Sequence, residues 1–146
     1  TGQARHPGEE GCRVTFLVRT AEARDAGIIS MLRERACDEA KRYRGHVDSG
    51  ANAFSSAVVE INGEVVGVAD YVDIDGSRDV LLIHVHESVR NVGAGDEMML
   101  WLVGDARTKG CRFVRSSALP GDRATKNLFE RHGLVARAIQ VEREIG

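Results

Sequence analysis

The stretch that most limits what this chain can fold into is Val89-Arg90-Asn91-Val92-Gly93-Ala94-Gly95-Asp96, where an apolar run passes into a helical pattern through two closely spaced glycines. Upstream, Val80-Leu81-Leu82-Ile83 continues into His84 and Val85 and reads as a buried strand. Downstream, Met99, Leu102, Val103 and Ala106 recur at helical spacing. The glycines therefore fall at a helix N-terminus. There the first amides lack intrahelical partners and the macrodipole is positive, so N–H groups can hold phosphate oxygens wherever no Cβ obstructs their approach. Gly93 and Gly95 remove that obstruction.

Two familiar glycine loops do not fit. A dinucleotide fingerprint requires a third glycine where Met98 stands and an acidic residue ending a following strand, and a P-loop requires Gly-Lys-Ser/Thr, which is missing. At 146 residues and 42% hydrophobic content the chain is expected to be one domain over 13–146, large enough to bury a core on both sides of a sheet. Residues 1–12, rich in glycine and charge and without periodicity, read as a disordered lead. The net charge of −2 and the interspersed basic residues give no electrostatic footprint for nucleic acid. Cys12, Cys37 and Cys111 have neither paired nor metal-type spacing, and nothing resembles a signal peptide or an apolar membrane span. A reducing cytoplasm, away from any membrane, is the expected setting. Cys37 within a helix and Cys111 opening a strand read as small buried hydrophobes.

Along the chain, Asp25 can cap a helix whose apolar positions Ile28, Met31, Leu32 and Ala36 face one way, with helical character running toward Tyr43 and broken by Gly45 to Asn52. Ala57 to Ile61 and Val65 to Ala69 flank Asn62-Gly63-Glu64, and Asn-Gly favours the left-handed conformations of a type I′ turn. Asp75-Gly76-Ser77 is a second turn, leading into the strand before the glycine loop. Asp122 can cap the last helix, Gly133 can end it in the left-handed region, and Val135 to Glu142 reads as a closing strand. The sum is an α/β (α+β) domain with a mixed, mainly antiparallel sheet.

The pattern Arg-x-x-Gly-x-Gly, strand before and helix after, resembles the acyl-CoA pyrophosphate loop of the GNAT superfamily of N-acetyltransferases. The rest of the chain resembles that family in the right order. Val14 to Arg19 followed by Thr-Ala-Glu-Ala-Arg-Asp is similar to its first strand and helix, and Ala57 to Asp70 to its central hairpin. Gly110-Cys111-Arg112 through Asp122 is similar to its fifth strand and fourth helix, and Leu128 to Leu134 to its Tyr-Glu-Lys-x-Gly-Phe ending. The likeness covers 13 to 144, and Leu-Pro-Gly-Asp-Arg-Ala-Thr-Lys-Asn is similar to small bacterial stand-alone members.

The resemblance implies helices on both faces of the sheet, a splayed pair of central strands, and acetyl-CoA as cosubstrate without a metal. The pyrophosphate would lie on Arg90, Asn91, Val92, Gly93, Ala94 and Gly95, and the pantetheine arm along His84, Val85 and His86. Asp122, Lys126 and Phe129 would complete the cofactor contacts. The backbone N–H of Val85 would polarise the thioester carbonyl as an oxyanion donor. A neutral primary amine, on a small molecule or a protein, would attack directly, so a base is needed. Asp79 stands where some members place a glutamate base; its alternative is a turn residue after Ser77-Arg78. His84 and His86 alternate along the strand and can relay a proton near neutral pH, with Glu60 the next candidate. As metal ligands the two histidines supply only half of a tetrahedral site.

The sequence departs from the family's pattern in several places. Phe129 replaces the tyrosine that protonates the leaving thiolate, Glu87 stands for a common proline, Asn91 for a glycine and Asp122 for an asparagine. Leu81 and Leu82 occupy often acidic places. These departures keep open a non-catalytic or degenerate module that binds and senses acyl-CoA. A purely structural dimerisation domain would leave Arg90, Gly93 and Gly95 without a role. His46, Asp48 and Asn52 border the expected acceptor site, and an edge strand such as the terminal one can pair in a homodimer.

Overall fold

A computed structural model describes residues 14–46 and 53–146. The chain runs through β1 (Phe16–Thr20), α1 (Ala26–Ala40), β2 (Ser55–Ile61), β3 (Glu64–Ile74), β4 (Ser77–Val85), α2 (Ala94–Thr108), β5 (Phe113–Arg115) and α3 (Arg123–Arg131). Asn62 and Gly63 carry φ of 49° and 90°, and Asp75 and Gly76 carry 51° and 78°. Consecutive left-handed residues match the right-handed twist of the flanking strands, so β2, β3 and β4 fold back on one another as antiparallel neighbours. The sheet order is β1-β2-β3-β4-β5, antiparallel except for β5, which runs parallel to β4.

Strand alternation builds two cores. Val58 and Val68 point to one face, where Ile29 and Leu32 of α1 cover them. Ala57, Val59, Ala69, Tyr71 and Val80 point to the other, against Met98, Met99 and Leu102 of α2 and Phe129 of α3. This is the expected mixed sheet with helices on both faces. Ile29 and Met98 are buried although the apolar spacing singles out their neighbours, because each helix packs a stripe one residue wider than the periodic positions. Among the described residues no helix is long and apolar enough to cross a membrane.

The sheet opens at its parallel end. β5 pairs with β4 only through Ser77, Arg78 and Asp79, and Leu81 is skipped in the register with β3. That irregularity bends the strand. The last link to the far side is the Ser116 hydroxyl, which donates to the Val80 carbonyl at 2.8 Å. Beyond it, the edge of β4 that faces away from β3 is splayed from β5.

Several expectations are corrected. Val135 to Glu142 forms no strand, and Val135, Ile139 and Val141 are 63%, 87% and 88% exposed. Alternation makes a segment fit to pair, but no strand lies beside it and no core covers its apolar side, so pairing has nothing to offset its ordering cost. The sheet edges are therefore β1 and β5, and the proposed terminal dimer strand is not formed. Cys37 is exposed rather than buried, since it faces away from the Ile29–Leu32 stripe, and Cys111 is intermediate. Asp25 acts earlier than expected: its carboxylate accepts from the Glu22 N–H at 2.7 Å, capping the short 3₁₀ turn Ala23–Asp25 ahead of α1. Cys12, Asp48 and Asn52 lie outside the described residues.

Candidate active site

The glycine loop takes its shape from two left-handed backbone positions. Asn91 has φ of 69°, and Gly93, the N-cap of α2, has φ of 102°. Asparagine tolerates the left-handed region, which explains how it stands in for glycine at 91. At Gly93 any side chain would be strained. Gly95 is different. A Cβ there would meet only the Leu128 methyls, at 3.5 and 3.6 Å, an ordinary contact. Nothing within the fold requires glycine at 95; what it provides is a bare first turn at the positive end of α2.

Of the two acidic side chains in that turn, Asp96 is paired with cations. Asp96 accepts from His132 Nε2 at 2.7 Å and from Arg131 at 3.2 and 3.3 Å, tying α2 to α3. Burial pushes its carboxyl upward, but these two partners outweigh burial and hold it below the usual carboxylate range. Leu128 places α3 beside Gly95. Asp122 accepts from the Thr125 N–H at 3.1 Å and caps α3 as expected. Gly133, with φ of 84°, closes it: the Leu134 N–H reaches the Phe129 carbonyl and the Gly133 N–H that of Glu130, the Schellman pattern. Lys126 is exposed and pairs with Glu130 at 3.7 Å, and Phe129 is 7% exposed within the core.

Next to the loop lies the open end of β4. The His86 N–H donates to the Val66 carbonyl of β3 at 2.7 Å. Successive backbone groups alternate, so the N–H and carbonyl of Val85 point to the opposite, splayed side. The Val85 carbonyl accepts from Arg90 Nε at 3.1 Å. The Arg90 guanidinium continues to Glu39 of α1, with bonds of 2.9 and 2.6 Å. His84, 8% exposed, sits opposite Val68 on the α1 face, with Nδ1 3.8 Å from a Glu39 oxygen. Burial lowers the pKa of His84 and the Arg90 charge lowers it further, against the smaller pull of Glu39. His84 is therefore neutral at pH 7 and able to accept a proton. His86 stands just past β4, its Nδ1 accepting from the Ser88 N–H at 3.1 Å.

The fold thus brings His84, Val85, His86, Arg90 and the loop together, with α3 beside them. It does not bring Asp79 there. Asp79 lies six residues before Val85, about 20 Å along an extended strand, in the stretch paired on both sides with Val72 and Arg115. It accepts from the Ser77 hydroxyl at 2.9 Å. Glu60 is engaged by Arg19 Nε at 2.6 Å, beside Asp25 and the start of α1.

Glu39 was not legible as part of this site. One signal existed: a carboxylate in the last turn of a helix faces the negative end of the macrodipole, an unfavourable place unless a cation holds it. Arg33 was missed as well; it makes a bidentate pair with buried Asp70 at 2.9 and 2.8 Å, with Ser56 donating to the same carboxylate. Among the described residues no group of three potential metal ligands comes together.

The profile of the acetyltransferase (GNAT) family matches residues 30–134. No curated protein matches the sequence. Several solved structures share the fold. The aminoglycoside N-acetyltransferase AAC(6')-Iy in complex with CoA superposes with a TM-score of 0.65 at 18% identity, over 88% of this chain and 99% of that one. A ribosomal-protein-alanine N-acetyltransferase from Brucella melitensis biovar Abortus 2308 gives 0.71 at 16% identity, over 89% and 99%. An aminoglycoside acetyltransferase from an uncultured soil metagenomic sample, in complex with sisomicin, gives 0.67 at 12% identity, over 90% and 95%.

Proposed function

This chain belongs to the acetyltransferase (GNAT) family, and from that premise we propose that it moves the acetyl group of acetyl-CoA to a primary amine by direct attack. The observation that carries the reading is the open edge at Val85 ending in a left-handed glycine N-cap, with a bare helix turn at Gly95. Acetyl-CoA supplies the activated thioester. In this reading the amides of Asn91 to Gly95 and the Arg90 guanidinium bind its pyrophosphate, and Lys126 adds a nearby positive charge. The Val85 N–H donates to the thioester carbonyl as negative charge develops on the oxygen.

Of the two candidate bases at this end of β4, His84 is the buried one, whereas His86 Nδ1 is taken up by the Ser88 N–H. The His84 ring, kept neutral by burial, takes the ammonium proton so that the amine attacks with its lone pair. The thiolate leaves as the new C–N bond forms. A thiol of pKa about 8.5 departs without an acid, which suits a helix that carries Phe129 instead of a phenol. Phe129→Tyr tests this: a hydroxyl that reaches the thiolate should raise the single-turnover rate, by up to about 10²–10⁴-fold. A slower variant with intact binding marks Phe129 as a packing residue only.

The acceptor is a small-molecule or protein amine, a reading supported by the aminoglycoside and ribosomal-protein-alanine N-acetyltransferases among the structural neighbours. Isothermal calorimetry with CoA, followed by thiol release on a panel of aminoglycosides, polyamines and peptide N-termini, tests the proposal. Turnover on any amine is the expected result. CoA binding without turnover on the whole panel favours the second reading, an acyl-CoA-sensing module, for which the buried Phe129 in the acid's position is the specific observation.

A further inference from the structure

Arg90 is doubly engaged in a way that conflicts with the role just given to it. Its Nε caps the Val85 carbonyl on the edge where a pantetheine amide would pair, and its two terminal nitrogens are spent on Glu39. The Arg90–Glu39 pair therefore lies over the open Val85 edge. Glu39 in turn stands in the last turn of α1, where the helix dipole opposes a carboxylate. Its Oε2 is shared: 2.6 Å from Arg90 and 3.8 Å from His84 Nδ1, just outside hydrogen-bond reach.

We propose that Glu39 is a positioning residue with two stations: it holds Arg90 across the Val85 edge while the site is empty, and turns to His84 once the cosubstrate's phosphates have taken Arg90. The inference rests on the acetyl-CoA reading above. A pyrophosphate at the N-terminus of α2 offers Arg90 more negative charge than one carboxylate, and it releases the Val85 carbonyl at the same time. Glu39, still facing His84, then needs only to close the gap to Nδ1. With Nδ1–H donating to that carboxylate, the His84 Nε2 lone pair faces the amine. The proton lost by the ammonium goes to Nε2 and the imidazolium is stabilised by Glu39 until the proton passes to solvent. Cosubstrate binding thereby readies the base.

The groups that face this pair come from every neighbouring element. From α1 and the turn after it, Arg35, Arg42 and Tyr43 approach; from β4 and the loop, His86, Glu87 and Arg90. Arg90 both depresses the carboxyl of Glu39 and, after burial, lowers the pKa of His84. Neutralising Arg90 with phosphate removes its effect on His84 while Glu39 adds an opposing one, so the ring becomes more basic on binding.

Glu39→Gln separates the two stations. Losing the competitor for Arg90 should tighten CoA binding by about two- to fivefold, the span of an exposed ion pair. Losing the counter-ion of His84 should lower kcat by about tenfold, a part of what a positioned base supplies. Affinity and turnover thus move in opposite directions, which a merely structural Glu39 would not produce. NMR titration of the His84 ring adds a readout independent of activity: saturating CoA should raise its pKa in the parent protein and raise it by clearly less in Glu39→Gln, where only the loss of the Arg90 effect remains. A Gln variant that binds CoA no more tightly than the parent, or whose His84 shifts as far as the parent's on saturation, overturns the proposal. A parent protein that gives no heat with CoA overturns the acetyl-CoA reading itself, and the proposal falls with it.

Discussion

The two ends of β4 each carry an arginine flanked by carboxylates, and their fates differ. At the start of the strand Arg78 is fully buried. Its guanidinium donates to Asp73 at 2.8 and 2.9 Å, to Asp105 at 2.8 Å and to the Leu102 carbonyl at 2.9 Å, and lies 4.2 Å from the Tyr71 ring centroid. At the end, Arg90 is 36% exposed and Glu39 27%. The difference lies in the sheet. β5 seals the strand on both sides of Arg78, whereas the splay beyond Val80 leaves the Arg90 end with a free edge. A saturated, dry arginine can only support the fold; one held by a single wet carboxylate can be exchanged for another anion.

Arg78→Met and Arg90→Met put that contrast to its hardest test. Removing Arg78 takes the main partner from partly buried Asp73, leaves Asp105 with Lys109 alone and frees a helix carbonyl, so urea unfolding should show a loss of about 3 kcal/mol. Arg90→Met should change stability by no more than about 1 kcal/mol, as expected of an exposed pair, while weakening CoA binding measured by calorimetry. Equal losses of stability would erase the distinction between the ends.

Gly95→Ala sharpens it from the loop side. A Cβ has room against Leu128, and alanine is the better helix former by up to about 1 kcal/mol. The variant should therefore be at least as stable as the parent, yet bind CoA about tenfold more weakly, because the methyl stands where phosphate approaches the first turn. Gly93 cannot serve this purpose. Its φ of 102° makes any substitution a test of backbone strain as well as of binding.

What could be read from the chain alone divides along the same line. The Asn62-Gly63 hairpin, the helix start at Gly93, the Asp122 cap and the Gly133 terminator were legible because each is decided by the residue's own backbone chemistry within a few positions. The Glu39–Arg90 pair joins residues 51 apart in sequence, and only the crossing of α1 over the sheet brings them together. Arg78 carried no local signal of burial: only the way the Asp75-Gly76-Ser77 turn aims the strand takes its side chain beneath α2, where Asp105 waits. The alternation at Val135 to Glu142 failed in the opposite sense: the local pattern was present and its partner was not. Local rules placed the glycine loop at a helix start; the side chains around it depend on topology.

The smallest expected effect is the response of each end to acid. His84 has a folded pKa below its ordinary 6.5, through burial first and the Arg90 charge second. As pH falls through 6.5 the unfolded chain takes up this proton before the folded one, so stability should fall gently below that value until the folded pKa is reached. At the sealed end the sign is the same but the window is lower. The Arg78 bonds depress Asp73, and in Asp105 they outweigh the upward push of burial. Stability from these groups is complete above about 3.9 and is lost as pH drops through their folded values. The parent should accordingly show two limbs in urea midpoints taken from pH 8 to pH 2. His84→Asn should flatten the upper limb alone, and Arg78→Met should make the lower one shallower without removing it, since Asp25, Glu39 and Asp96 are depressed as well. An upper limb that survives His84→Asn unchanged would belong to another group, so that His84 has no depressed pKa in the folded protein, and with it would go the argument that this end of β4 keeps a neutral base beside its open edge.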